Sequence, residues 1–301
     1  QITPEFISKI NNDDNFYLWL VNLRESEFNE DTIIENLNKS NIDCDKVIVT
    51  STNMGKETKT LKHIPDDFWQ SWTRQKLRHN NFNSIRPEDH NINKKDKKFL
   101  CYNRHSKFHR IEWYYYSKKF NLLRDGIYFF WCPDFEWYED EIDKMGDKFS
   151  SMKRVSSKKL ENFVLENDNE FDVSGDTTHY KRTFLSLITE YDTTTNLLTE
   201  KMWKPILHSH PFVLIGSKDA IKRFKSYGYK TFDEFLGMDC LSAEEEIKYG
   251  MKRLSELSFD DIKKITESVQ DKVLHNYNLF LSHTSSINNI FNKIDTACNV
   301  K

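Results

Sequence analysis

The sequence predicts an α/β protein of two domains, each a parallel β-sheet flanked by helices. Short apolar runs rich in β-branched and aromatic residues alternate with stretches in which apolar residues recur at helical spacing. The chain's 301 residues exceed one small domain, and an aromatic share of 14% compensates for a hydrophobic share of only 38%. The polar stretch from His79 to Lys98 favours a boundary, with domains at residues 1–92 and 98–301.

The first domain begins with a strand–helix–strand unit, the minimum needed for parallel pairing. We expect strands at Phe16–Val21 (FYLWLV) and Lys46–Thr50 (KVIVT), with a helix at Asp31–Asn38 between them. The polar stretch that follows is crowded with Asn, Lys and Asp, which is typical of a boundary or an exposed segment.

The alternation of strands and helices resumes after that stretch. The predicted strands are Phe99–Tyr102, Ile127–Trp131, Phe184–Thr189 and Pro211–Ile215. The predicted helices are Arg110–Phe120, one beginning near Thr199, and Lys218–Tyr227.

The end of the chain is expected to be helical. Ser242 with Glu245, and Ser258 with Asp261, have the spacing of a capping box, in which two side chains satisfy the free N–H groups at a helix start. Behind the second box, one helical face carries the apolar residues Ile262, Ile265, Val269 and Val273.

Composition excludes several classes of protein. A net charge of -3 gives no global electrostatic reason to bind nucleic acid or membrane, and no apolar run is long enough to cross a bilayer. The five cysteines are scattered and never form a C-x-x-C pair, which favours reduced thiols in a cytoplasmic compartment. The ten histidines lack metal-ligand spacing, so no bound metal is expected, and neither a P-loop nor G-x-G-x-x-G occurs.

One segment concentrates the candidate functional residues. An apolar strand ends at Glu190, a polar loop follows, and Thr199 is placed to cap a helix whose first turn holds Glu200 and Lys201. The carboxyl ends of parallel strands adjoin helix N-termini, where α/β proteins bind phosphates. A lysine in that turn suits a bound anion, and Glu200 is placed to accept hydrogen bonds from sugar hydroxyls. The same residues also fit a plain capped helix with Lys201 in solvent.

This segment resembles the donor-binding motif of the α-1,3-fucosyltransferase family, which runs Y-K-F-x-hydrophobic-x-F-E-N-S, three residues, then D-Y-I-T-E-K-L-W. Glu190 matches the glutamate of F-E-N-S, and Thr199-Glu200-Lys201 with Trp203 keep the spacing without a gap. Upstream, the family's K-x-F-x-x-S-N and the arginine seven residues after it are matched by Lys98-Phe99, Asn103 and Arg110. The resemblance covers roughly Lys97 to Gly216.

The chain is also similar, and more closely, to a set of virus-associated proteins assigned as glycosyltransferases. The shared features are Asn103-Arg104 with His109-Arg110, Thr199-Glu200-Lys201 with Lys204-Pro205, Pro211-Phe212 with Gly216, and Gly228-Tyr229-Lys230-Thr231-Phe232. Tyr191-Asp192 and Asn196-Leu197 depart from the fucosyltransferase pattern, so the donor stays open between GDP- and UDP-linked sugars.

The resemblance implies a GT-B fold, with two Rossmann-like domains and a helical C-terminal tail. It implies inverting, metal-independent transfer from a nucleotide-diphosphate sugar, with no cofactor, to an acceptor that is a glycan, a protein or DNA. The implied location is cytoplasmic, in the host cytoplasm for a viral protein, and the oligomeric state stays open. The implied donor-binding residues are Asn103, Arg104, Arg110, Arg182, Glu190, Asn196, Thr199, Glu200 and Lys201.

Within that set, Lys201 and Arg110 are expected to neutralise the leaving diphosphate. An inverting reaction also needs a carboxylate base on the acceptor side. Glu25, just after the first predicted strand, is a candidate, but nothing singles it out and the base stays unassigned.

Two other functions remain open. Asp134 and Glu136 fit the metal-holding motif of a GT-A transferase, but the acidic run continues to Asp143, which favours a solvated acidic face. The other is a non-catalytic carbohydrate- or nucleic-acid-binding protein on the same fold. The basic stretch from Arg74 to Arg110 suits contacts with polymer phosphates, but its interspersed Asp and Glu residues favour a solvated linker.

Overall fold

The computed structural model describes residues 3–13, 17–22, 29–51, 61–65, 84–103, 107–130, 142–152, 177–191 and 193–282. The chain divides into two compact units: unit 1 comprises residues 1–72, 195–197 and 283–301, and unit 2 comprises residues 73–194 and 198–282. Among the described candidate residues, Asn196 belongs to unit 1 and the others belong to unit 2.

Unit 1 contains a parallel three-stranded sheet in the order β1–β2–β3. Its elements are α1 (Pro4–Asn12), β1 (Leu18–Asn22), α2 (Glu30–Lys39), β2 (Val47–Ser51) and β3 (Lys62–Pro65). The core consists of the buried residues Ile10, Leu37, Ile42, Val47, Val49 and Leu61. The predicted parallel strand–helix–strand unit is confirmed, whereas α1 and β3 were not predicted.

Unit 2 is built on a parallel five-stranded sheet in the order β5–β4–β6–β7–β8. Its strands are β4 (Lys97–Asn103), β5 (Gly126–Phe130), β6 (Thr183–Thr189), β7 (Phe212–Ile215) and β8 (Cys240–Leu241). Its helices are α3 (Phe108–Lys119), α4 (Thr177–Arg182), α5 (Glu200–Leu207), α6 (Lys218–Ser226), α7 (Glu244–Glu256), α8 (Phe259–Ser268) and α9 (Gln270–Ser282). The predicted α/β class is confirmed.

Helices cover both faces of this sheet. On one face, α3 packs against α7, and Trp113 of α3 meets the ring of Phe99 from β4. On the other face, Trp203 of α5 packs against Phe224 of α6 and Phe280 of α9. The chain therefore leaves β4 towards one face and leaves β6 towards the other.

The helical tail agrees with expectation at one capping box and differs from it in two other details. The capping box at Ser258 and Asp261 is confirmed. The box predicted at Ser242 and Glu245 is wrong, because α7 begins at Glu244 and the N–H and hydroxyl of Ser242 donate to Glu246 instead, at 2.7 and 2.8 Å. The apolar face behind the second box spans two helices, α8 and α9, which meet at Val269.

The described part of the predicted polar boundary is folded into unit 2. Ile85 and Lys95 are buried, and β4 begins at Lys97. The Lys95 ammonium donates to the carbonyls of Tyr180 and Thr183, at 2.9 and 2.5 Å. Amino-acid composition does not distinguish a buried lysine bound by backbone carbonyls from a solvated lysine. For this reason the polar stretch was predicted to be a boundary or an exposed segment.

Within the described ranges, no helix is both long enough and apolar enough to cross a membrane. The cysteines in those ranges, Cys44, Cys101 and Cys240, are free thiols.

Candidate functional site

The carboxyl ends of β4 and β6 meet at a topological switch point. These strands are neighbours in the sheet. Phe99 of β4 contacts α3, whereas the next residue, Leu100, lines a pocket together with Pro205 of α5, so the two helices cover opposite faces. Such a point leaves a crevice at the sheet edge, the usual ligand position in open α/β sheets. Asn103 ends β4 and Glu190 follows β6 directly. The structure thus brings both predicted residues to this edge.

Glu190 is buried, with 1% of its surface exposed. One carboxylate oxygen, Oε1, accepts from the Thr199 N–H at 2.9 Å; the other, Oε2, accepts from the Thr199 hydroxyl at 2.6 Å and the Tyr191 N–H at 3.2 Å. Burial raises the pKa of Glu190, against the attraction of Lys201 and the hydrogen bonds from Thr199. Because both oxygens are engaged inside the protein, the contact predicted between Glu190 and donor hydroxyls does not fit this geometry.

Thr199 begins α5 as predicted. Its side-chain oxygen accepts from the Lys201 N–H at 3.4 Å, and its φ and ψ are extended, as an N-cap requires. The Lys201 ammonium lies 3.2 Å from the same oxygen and 3.5 Å from a carboxylate oxygen of Glu200. Burial works to raise the pKa of Glu200, but the positive charges of Lys201 and Lys204 outweigh it and hold that pKa below its usual value.

Lys201 lines a partly enclosed pocket on the α5 face of the sheet. Its other lining residues are Leu100, Tyr102, Tyr180, Ser186, Leu187, Ile188, Thr189, Lys204 and Pro205. The cavity volume is about 40 Å³, space for a few water molecules. Sites for drug-sized ligands are roughly 300–1,000 Å³, so a whole nucleotide does not fit within these walls.

Arg110 and His109, in the first turn of α3, hold the end of β6. The Arg110 guanidinium is 3% exposed and donates through Nη2 to the carbonyls of Glu190 and Thr189, at 2.9 and 3.3 Å. Nε2 of His109 lies 2.9 Å from the Glu190 carbonyl oxygen. These contacts position Glu190, and Arg110 is not among the residues that line the pocket beside Lys201.

Asn103 makes its side-chain contacts inside the protein, at the same sheet edge. Its side-chain oxygen accepts from the Thr189 hydroxyl, and its amide donates to the Cys101 sulfur at 3.4 Å. The buried side chain ties the end of β4 to the end of β6. This internal contact differs from the donor contact that the resemblance implied.

Arg182 is not part of the site. It precedes β6, whereas Glu190 follows that strand, and a strand of this length spans roughly 20 Å. The exposed guanidinium pairs with Asp96 at 2.6 Å. Asn196 is half-buried and belongs to unit 1, whereas Glu190 and Lys201 belong to unit 2. Four other candidates, Glu25, Arg104, Asp134 and Glu136, lie outside the described residues.

Lys204 and His109 were not assigned a role from the sequence. Lys204 belongs to the motif that links Thr199-Glu200-Lys201 with Lys204-Pro205, and it is three residues after Lys201, a spacing that places both lysines on one face of a helix. The position of His109 against the Glu190 carbonyl depends on how α3 packs on the sheet, which no local pattern encodes.

In the part of the chain that the structure describes, no three His, Cys, Asp or Glu side chains lie close enough to hold a metal ion. A scan of protein-family models and searches of curated proteins and solved structures found no match to this chain.

Proposed function

We propose that this chain is a glycosyltransferase that moves a sugar from a GDP- or UDP-linked donor to a glycan, protein or DNA acceptor. The observation that carries the proposal is the position of Lys201. Its ammonium lies in the first turn of α5, beside the switch point of a parallel sheet, and lines a pocket. Helix N-termini at this edge bind phosphates in α/β proteins, and the resemblance of the T-E-K segment supports the same role.

The reaction breaks the bond between the anomeric carbon and the β-phosphate oxygen. The electron pair of that bond leaves with the nucleoside diphosphate, while the acceptor oxygen bonds to the carbon and gives its proton to a carboxylate base. The Lys201 ammonium and the positive end of α5 stabilise the charge that develops on the diphosphate. Electrostatic stabilisation by one such group is worth about 3 kcal/mol of barrier.

The neighbouring residues serve different parts of this mechanism. Glu200, whose side chain is 19% exposed, is placed to accept hydrogen bonds from ribose or sugar hydroxyls. Glu190, Thr199 and Arg110 fix the strand end and the helix start that carry Lys201. The pocket is too small for a whole nucleotide, so the proposal puts one phosphate group beside Lys201 and the nucleoside outside the pocket. The proposed arrangement is GT-B, with inverting, metal-independent transfer.

The first experiment is calorimetric titration with GDP and UDP. We expect one of them to bind the wild type and Lys201→Ala to weaken that binding about tenfold or more, since losing a charge-assisted contact costs roughly 1.5–3 kcal/mol. Lys222→Ala, an exposed lysine of α6 paired with Asp219, is the matched control and should bind like the wild type. Failure of both nucleotides to bind the wild type, or unchanged binding by Lys201→Ala, refutes the proposal.

A donor screen then separates transfer from binding alone. Release of nucleoside diphosphate from one nucleotide sugar, even as slow hydrolysis, identifies an enzyme. Binding without any release favours the non-catalytic alternative. Activity that disappears with EDTA favours the GT-A alternative through Asp134 and Glu136.

A further inference from the structure

A second cavity lies away from the switch point. Its volume is about 590 Å³, within the range typical of small-molecule sites. It is formed by the turn before β8 and by the second half of α7, and its lining residues are Asp233, Glu234, Leu236, Gly237, Tyr249, Lys252, Arg253 and Glu256. Because this turn precedes β8 and the site at Glu190 follows β6, the cavity lies towards the amino edge of the parallel sheet.

The charges that line this cavity and the lysine paired with them cancel. Asp233 and Glu234 both face the Lys272 ammonium, at 3.6 and 2.5 Å, and Lys252 lies 3.7 Å from Glu256. The lining holds three carboxylates and two cations, Lys252 and Arg253; Lys272, which is not a lining residue, supplies the third positive charge through its ion pairs. A charged ligand gains little net electrostatic energy in such surroundings, since each attraction is accompanied by a repulsion.

An aromatic surface lies among these polar groups. The Tyr249 side chain is 50% exposed, and its hydroxyl lies close to Gly237, 3.9 Å from the position of an added Cβ. Gly237 has a φ of +76°, a conformation in which glycine is favoured, and the turn therefore has no side chain at this point beside the Tyr249 hydroxyl. An exposed tyrosine presents a flat apolar ring and a polar tip to a ligand.

We propose that this cavity binds a neutral carbohydrate. The apolar C–H face of a pyranose stacks on the Tyr249 ring, while its hydroxyls donate to Asp233 or Glu234 and accept from Arg253. A neutral polyhydroxylated ligand matches closely spaced donors and acceptors whose charges cancel. The site is independent of the nucleotide contact at Lys201, and it stands whether or not the chain transfers a sugar.

The test is titration of the full chain with neutral oligosaccharides, namely maltopentaose, cellopentaose and chitopentaose, followed by saturation-transfer NMR. We expect at least one to bind, Tyr249→Ala to weaken it about tenfold or more, and Tyr249→Phe to retain binding because the ring remains. Phe259→Ala, which removes another exposed aromatic ring from the adjacent helix α8, should bind like the wild type. Raising the salt concentration should leave the affinity unchanged, because the ligand is uncharged.

Three outcomes overturn this inference. They are no binding of any of the three probes, equal binding by Tyr249→Ala and the wild type, and a salt-sensitive preference for a sulfated polysaccharide such as heparin. Titration of Tyr249→Ala with GDP and UDP separates the two proposals, since that variant should bind nucleotide as the wild type does. Loss of oligosaccharide binding by Tyr249→Ala with intact nucleotide binding supports the second site. If the wild type binds nucleotide but none of the oligosaccharides, this inference is overturned and the proposed function is unaffected.

Discussion

Thr199 meets the Glu190 carboxylate twice, through its N–H at 2.9 Å and through its hydroxyl at 2.6 Å. The two bonds join the end of β6 to the start of α5 across the loop 191–198. Lys201 lies in the first turn of that helix, so its position relative to the sheet edge depends on this pair.

Thr199→Val is expected to destabilise the fold by about 1–3 kcal/mol. The variant keeps the shape of the side chain but removes the hydroxyl, which leaves one oxygen of Glu190 without that donor and the Lys201 N–H without its cap. Urea denaturation measures the free energy of unfolding. Thr199→Ser retains the hydroxyl and should stay close to the wild type; equal stability of the valine and serine variants would contradict the assigned role.

Glu190→Gln is expected to change how stability depends on pH. Burial raises the pKa of Glu190 above its ordinary value of 4.5, so the folded state holds the proton more tightly than the unfolded state. The wild type therefore loses stability as pH rises from about 4.5 to the folded pKa, and this loss is constant above it. Glutamine does not titrate and removes that contribution.

Unfolding free energies of wild type and Glu190→Gln, measured over a pH series, test this expectation. Their difference should change in the acidic range and level off above the folded pKa. Glu35→Gln, on the exposed face of α2, controls for the loss of one carboxylate. A constant difference between wild type and Glu190→Gln at every pH would show that the carboxyl does not titrate as its burial implies.

Local patterns predicted local features of unit 2. The strand β6 and the cap at Thr199 follow from adjacent residues, an apolar run and a hydroxyl before a helical segment. The bond from Thr199 to Glu190 spans nine positions and depends on how the loop folds back, so composition and spacing do not contain it. Lys201 could be singled out from the sequence because it lies in the first turn of a helix whose cap, Thr199, is recognisable locally.

Arg182 is a predicted site residue that the structure places at the opposite end of β6 from Glu190. Residues before and after a strand are close in sequence, and the strand then places them at opposite edges of the sheet. The resemblance implied Arg182 as a donor-binding residue, whereas its partner in the structure is the exposed carboxylate of Asp96. The two-residue strand β8 was missed because its pairing with β7 depends on the sheet already being formed.

Arg182→Gln is accordingly expected to leave GDP and UDP binding unchanged. It should alter stability by less than about 1 kcal/mol, because an ion pair in solvent gains little from its Coulomb attraction. Calorimetric titration beside Lys201→Ala provides the comparison. If Arg182→Gln weakened nucleotide binding as much as Lys201→Ala, the two residues would share a ligand, against the separation of the two ends of β6.

Lys95→Met is expected to remove a rise in stability above neutral pH. The buried ammonium donates to the carbonyls of Tyr180 and Thr183 and to Nδ1 of His90, the last at 3.3 Å, and burial lowers its pKa from 10.5 to about 7. Between these values the unfolded state binds the proton and the folded state does not. The wild type therefore gains stability as pH rises from about 7 to 10.5, and this gain is absent below about pH 7.

Methionine preserves the apolar stem of Lys95 without a titrating group, so the unfolding free energy of Lys95→Met should not rise between pH 7 and 10.5 as that of the wild type does. The neighbouring Lys94→Met, at an exposed position, controls for the loss of one lysine and should keep the slope of the wild type. Chemical denaturation from pH 6 to 10 would provide the three profiles. Parallel profiles for Lys95→Met and the wild type would mean that the ammonium stays charged throughout, held by its carbonyl acceptors more strongly than burial disfavours it.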